Sequence, residues 1–207
     1  MLSLALVAAA SVFASAQTDY KKGEFFIGYS HGQVDSGIDS GDSVNSFFND
    51  RIGFNGFEAA GVYNVSRYVG IKGDVSGTYN STQFTFPAGA QTVTVDTRNS
   101  LYNFLGGVQF KDNANEGRFK PFAHALVGAG HGRTKVNNLT CTSTPTFDCD
   151  DIDDVSETGL AGAFGAGIDI RLNDRVDFRA IQVDYNPIKF ENSTDHNVRF
   201  SIGFVIK

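Results

Sequence analysis

The chain is predicted to be all-β, an eight-stranded antiparallel up-and-down barrel whose oily side chains face outward, toward lipid. Three observations lead there. The stretch Gly159 to Tyr185 alternates with the period of a strand: Leu160, Phe164, Ala166, Ile168, Ile170 and Leu172 fall on one parity, and Ala161, Ala163, Gly165, Gly167, Asp169 and Arg171 on the other. A water-soluble sandwich would have to bury one of these faces, and the small, charged face makes a poor core. The stretch Val69 to Tyr79 repeats the pattern more cleanly, with Val69, Ile71, Val75 and Tyr79 opposed to Lys72, Asp74, Ser76 and Thr78. Finally, long and short connections alternate along about eight such segments, each near the 9–11 residues that cross a bilayer obliquely.

Taken in order, Gly23 to Val34 opens the barrel with Phe25, Ile27 and Tyr29 outward and Phe26, Gly28, Ser30 and Gly32 inward. Asp35 to Ile52 lacks apolar periodicity and reads as a long loop. Phe54 to Val65 sets Phe57, Ala59, Gly61 and Tyr63 against Gly56, Glu58, Ala60 and Asn64, and a short Ser66-Arg67 turn leads into the Val69 strand. Phe84 to Thr97 reads as a second long connection in which QFTF and TVTV alternate on their own. Ser100 to Lys111 places Tyr102, Phe104, Val108 and Phe110 outward, and Asn103, Leu105 and Gln109 inward. In Phe119 to His131 both faces are partly apolar, and His124 is assigned to the inside. Thr134 to Glu157 is the longest and most acidic loop, Asn186 to Asp195 the last, and His196 to Lys207 ends the chain with Val198, Phe200, Ile202, Phe204 and Ile206 outward. A phase slip between Phe178 and Ile181 predicts a bulge that returns Ile181 and Val183 to the lipid side.

The segment GAGIDIRLNDRVDFRAIQVDY, with its Gly-x-Gly strand, short turn and Arg-containing strand ending in Asp-Tyr, resembles the penultimate hairpin of small outer-membrane β-barrel proteins of the OmpA type. The resemblance runs from Gly23 to Lys207. It implies the outer membrane of a Gram-negative-type bacterium, short turns and both termini on the periplasmic side, a monomer embedded in outer-membrane lipids, and no cofactor. The implied role is envelope integrity or surface contact, through loops whose extracellular partner is unknown. The terminal SIGFVIK resembles the signal read by the barrel-assembly machinery during insertion, although it ends in Lys207 where that signal has an aromatic residue.

Composition agrees. With 41% hydrophobic residues and a mean hydropathy of -0.16 the chain cannot be a bundle of membrane helices, whereas a barrel needs apolar side chains only at alternate positions. Leu2 to Phe13 followed by Ala14-Ser15-Ala16 reads as an export signal, giving a signal peptide over 1–16 and a barrel domain over 17–207. No Lys or Arg precedes the apolar run. The net charge of -6 lies wholly beyond residue 16 and argues against a nucleic-acid partner. Cys141 and Cys149 are expected to form a disulfide, stabilising by about 2–3 kcal/mol on the chain-entropy view; a metal site is the weaker alternative, because no His lies near them.

Glu58, Asp74, Asp169 and Asp177 share the expected interior with Lys72, Arg171, Arg179 and Arg199, acids matched by bases. Such a set is expected to form an ion-paired plug, because barrels of about eight strands have interiors that side chains fill. A narrow porin passing ions or small solutes is the alternative, and a secreted lipocalin-like barrel a third. Catalysis is not expected: His31, the pair His124 and His131, and His196 lie on three different strands. The run Asp148 to Asp154 lacks the glycine and final Glu of an EF-hand, so no metal is assigned to it. Tyr63, Tyr68, Tyr79, Tyr102 and Tyr185 are candidates for interfacial aromatic girdles.

Overall fold

The computed structural model describes residues 20–35, 51–88, 91–142, 154–191 and 193–207. Among them run eight strands: β1 (Gly23–Asp35), β2 (Arg51–Asn64), β3 (Val69–Ala88), β4 (Gln91–Lys111), β5 (Phe119–Thr142), β6 (Val155–Arg171), β7 (Val176–Lys189) and β8 (Thr194–Ile206). Each pairs antiparallel with the next, and β8 returns to β1 through pairs from Phe25↔Ile206 to Gln33↔Val198, so the sheet closes. Closure leaves no strand edge, which a sheet in hydrocarbon requires.

The parity read from the sequence is the parity of the wall. Phe25, Ile27, Ile71, Val75, Phe104, Phe110, Phe164, Ile181, Ile202 and Phe204 are exposed, whereas Glu58, Lys72, Asp74 and Asp169 are buried inside. Tyr63 and Tyr68 mark one end of the outer surface and Tyr29, Tyr79 and Tyr185 the other. This arrangement excludes the lipocalin reading, which needs the aliphatic face turned inward. The expected bulge is also present: Ile168 pairs with Ile181 but Asp169 pairs with Arg179, so Ala180 is the extra residue. Arg179 and Gln182 consequently both point inward.

The ends of the barrel differ. At one end the connections are tight, as at Asn173, whose Oδ1 accepts from the backbone N–H of Arg175 and Val176. Toward the other end the strands run further than the sequence reading placed them. The expected loop 84–97 is instead a continuation of the β3–β4 ribbon, paired as far as Ala88↔Gln91. Likewise β5 continues to Thr142, and the expected loop 186–195 shrinks to the link between Lys189 and Thr194. Beyond the membrane both sheet faces can be wet, so these extensions lose the oily alternation while the backbone ladder continues. The export signal, Cys149 and residues 148–153 of the acidic run lie outside the described residues; Cys141 falls near the end of β5.

Candidate functional site

The lumen is the chemically distinctive part of the molecule, and its side chains form three tiers. Nearest the short turns, Lys111 Nζ contacts Glu24 Oε2 at 2.9 Å and Asp169 Oδ2 at 2.9 Å. Arg179 Nε donates to Asp169 Oδ1 at 2.8 Å, and its guanidinium lies between the rings of Phe26 and Phe122, 4.3 Å and 4.0 Å from their centroids. Asp177 pairs with Lys120 at 3.6 Å and with Lys207. The planar cation therefore serves both as an ion partner and as filling between two aromatic faces.

The middle tier centres on Arg199. Its Nη1 donates to Asp74 Oδ1 at 2.9 Å and its Nη2 to Asp184 Oδ2 at 2.7 Å, while Glu58 lies 3.6 Å from Nε. Lys72 stands 3.8 Å from Glu58 and 3.6 Å from Asp74. Gln182 joins the tiers: its Nε2 donates to Glu58 and Asp184 and its Oε1 accepts from Arg179. Ser201 donates to Glu58 Oε2 at 2.5 Å. Room for these long side chains comes from inward glycines. A Cβ on Gly165 would overlap the Asp184 carboxylate, and one on Gly167 would stand 2.5 Å from the Phe122 ring.

The third tier, toward the far end, is apolar. Phe54, Leu101, Leu105, Leu126, Ala161, Ala163 and Ile188 are buried against one another, with Val34, Ile52 and Phe190 packed on them. Above them the mouth widens into a cavity of about 330 Å³ whose rim includes Asn99, Arg133, Glu157 and Asp195.

Of the residues singled out from the sequence, Glu58, Lys72, Asp74, Asp169, Asp177, Arg179 and Arg199 occupy the lumen. Arg171 does not. It has the inward parity but is the last residue of β6, and there it turns to the rim, donating to Asp174 Oδ1 at 2.5 Å and to the Glu116 carbonyl at 2.9 Å. Its hydrogen bond holds the Asp174 carboxyl below the ordinary carboxylate range, and Arg67 does the same for Asp112 at another turn. The sequence reading missed Glu24, Lys111, Lys120, His124 as an acid partner, Gln182 and Asp184. All share the inward parity of neighbours already assigned, and counting alternate residues out to each strand end finds them.

With these included, the acids Glu24, Glu58, Asp74, Asp169, Asp177 and Asp184 face the bases Lys72, Lys111, Lys120, Arg179, Arg199 and Lys207. The two sets balance without a charge on His124, whose Nε2 lies 3.0 Å from Asp184 Oδ1. Asp184 and Lys72, whose side chains contact the ring nitrogens of His124, carry no hydroxyl to serve as an activated nucleophile. No group of side chains with metal-ligand chemistry occurs among the described residues.

A closed barrel, oily outside and salt-filled inside, defines the class of integral outer-membrane β-barrel proteins. The family model described as the outer membrane protein beta-barrel domain matches residues 2–207, and the chain belongs to that family. Among solved structures it is similar to Ail, the attachment invasion locus protein of Yersinia pestis in complex with the heparin analogue sucrose octasulfate. Identity there is 18% and the TM-score 0.51, over 90% of this chain and 100% of that one. It is also similar to Neisserial surface protein A, with 13% identity and a TM-score of 0.54 over 90% of this chain and 97% of that one. At these identities the likeness is one of fold. No curated protein matches the sequence. The protein resides in the outer membrane.

Proposed function

We propose that this outer-membrane barrel is a closed scaffold, contributing to envelope integrity and presenting its extracellular end to the surroundings, with neither transport nor catalysis as its task. The observation that carries this reading is the stacking of two unlike fillings in one lumen. A water-lined path through the ionic tiers would meet the packed Phe54, Leu101, Leu105, Leu126 and Ile188 above them. An ion would have to shed its hydration there with no polar group to replace it, a penalty of several kcal/mol. The porin reading needs a continuous wet path, and the catalytic reading needs a substrate to reach His124; the same two barriers oppose both.

Planar-bilayer recording of the refolded protein tests the proposal. Silence at moderate voltage is expected. Steady, reproducible unit conductance steps from the folded, heat-shiftable form would overturn it in favour of the narrow porin.

A further inference from the structure

Beyond the lumen, the outer wall of β3, β4 and β5 carries a second arrangement. Inter-strand pairing aligns its outward residues in successive rows: Gly77, Tyr102 and His131; then Tyr79, Ser100 and Arg133; then Ser81, Arg98 and Lys135. Below these rows the same wall is hydrocarbon, with Ile71, Val75, Phe104, Val108 and Val127 exposed. From Ile71 to Tyr79 the strand climbs about 20 Å along the membrane normal, at ~3.3 Å per residue and a tilt near 40°. That is close to the apolar thickness of about 25 Å, so Tyr79 and Tyr102 stand at its outer boundary. The Arg98 row stands one step higher, about 5 Å, at headgroup level.

Three cations meet there. Arg98 lies directly opposite Lys135, a like-charge facing that is unfavourable unless an anion lies between. Arg133 is two residues from Lys135 on the same face. The acids nearby do not cancel the set: Asp154 bridges Arg133 at 2.8 Å and Lys135 at 3.7 Å, and Asp96 is engaged by Gln83 Nε2 at 2.7 Å. No carboxylate pairs with Arg98 among the described residues. A groove of about 610 Å³ runs between these side chains, floored by Tyr79 and Tyr102 and flanked by His131. In a chain of net charge -6, a basic groove at this height is a local exception.

We propose that this groove binds the phosphate groups of the anionic glycolipid of the outer leaflet, lipopolysaccharide. Arg98, Arg133 and Lys135 would hold the lipid A phosphate, and the Tyr79–Tyr102 floor would pack on the sugar and the first part of the acyl chains. The chemistry matches: guanidinium forks and an ammonium beside a strongly anionic headgroup, aromatic rings at the interface, and aliphatic side chains where the acyl chains run. The inference rests on the outer-membrane location and is independent of whether the lumen conducts.

The test uses the refolded full chain in detergent micelles, titrated with diphosphoryl lipid A and with the same lipid stripped of its phosphates, and read by native mass spectrometry. Diphosphoryl lipid A should bind the wild type more tightly than the stripped lipid, and excess inorganic phosphate should not displace it. The R98Q/R133Q/K135Q variant should bind diphosphoryl lipid A at least about tenfold more weakly, as expected for several cations near an anionic surface. The K21Q/K22Q/R175Q variant, which removes equal charge at the periplasmic end, should bind as the wild type does. Equal affinity of the wild type for the two lipids overturns the proposal even if the triple variant does not fold. So does displacement by inorganic phosphate, or an undiminished affinity in a folded R98Q/R133Q/K135Q barrel.

Discussion

Two arginines of the same inward parity show how much depth matters at the scale of one residue. Arg199 is buried with hydrogen bonds to Asp74 and Asp184, whereas Arg171 sits at the wet rim on Asp174. Arg199→Ala leaves buried carboxylates without their cation, and a loss of about 3–5 kcal/mol is expected. Arg171→Ala removes a solvent-screened pair at the rim and should cost far less. Urea unfolding in lipid vesicles, followed by the heat-dependent gel shift, measures both; equal losses would mean that the middle tier is hydrated. At the turns, Asp112 and Asp174 have carboxyls held low by Arg67 and Arg171. A depressed folded-state value favours the folded form above the unfolded-chain value and loses that contribution as pH falls through the folded one. The D112N/D174N variant should therefore unfold slightly more readily than the wild type near about pH 7, and identically near about pH 2.

The instructive element is β7. Its alternation slips by one at Ala180, and the slip is what allows Asp177 and Arg179 on one side of the bulge, and Gln182 and Asp184 on the other, all to face the lumen. Deleting Ala180 must turn one of these pairs of positions toward lipid. An Arg there costs about 2–4 kcal/mol at mid-depth, before the loss of its ion partners is counted. The deletion should abolish the SDS-resistant, heat-shiftable band, and a deletion variant that folds like the wild type would contradict the bulge. This slip was readable in the sequence because outward Phe178 and Ile181 break the period visibly. Strand ends were not. Periodicity reports which side a residue occupies but not how far along the barrel it stands, so alternation alone puts Arg171 in the lumen and reads the outer ends of β3, β4 and β5 as loops. The apolar tier was hidden for a related reason: where Leu126 faces in and Val127 faces out, both parities are oily, and only the closed sheet tells them apart.

For the whole molecule, the outward-facing hydrocarbon describes a barrel that belongs in a membrane, and the ionic filling with its apolar cap supports the proposal that it is shut along its axis. Folding and insertion are then one problem, since the lumen charges can leave water only once they have found each other. The structure of the wall itself can be tested without reference to function, because the chain contains no tryptophan. Phe25 and Phe26 are adjacent in β1, yet one is 47% exposed and the other 2%. The most direct measurement is fluorescence quenching by brominated acyl chains of the single-tryptophan variants F25W and F26W, each refolded into vesicles and checked for the heat-dependent gel shift. Strong quenching of F25W with little or none of F26W is the predicted result; equal quenching of the two, or the reverse order, would contradict the outward-facing assignment of the oily face.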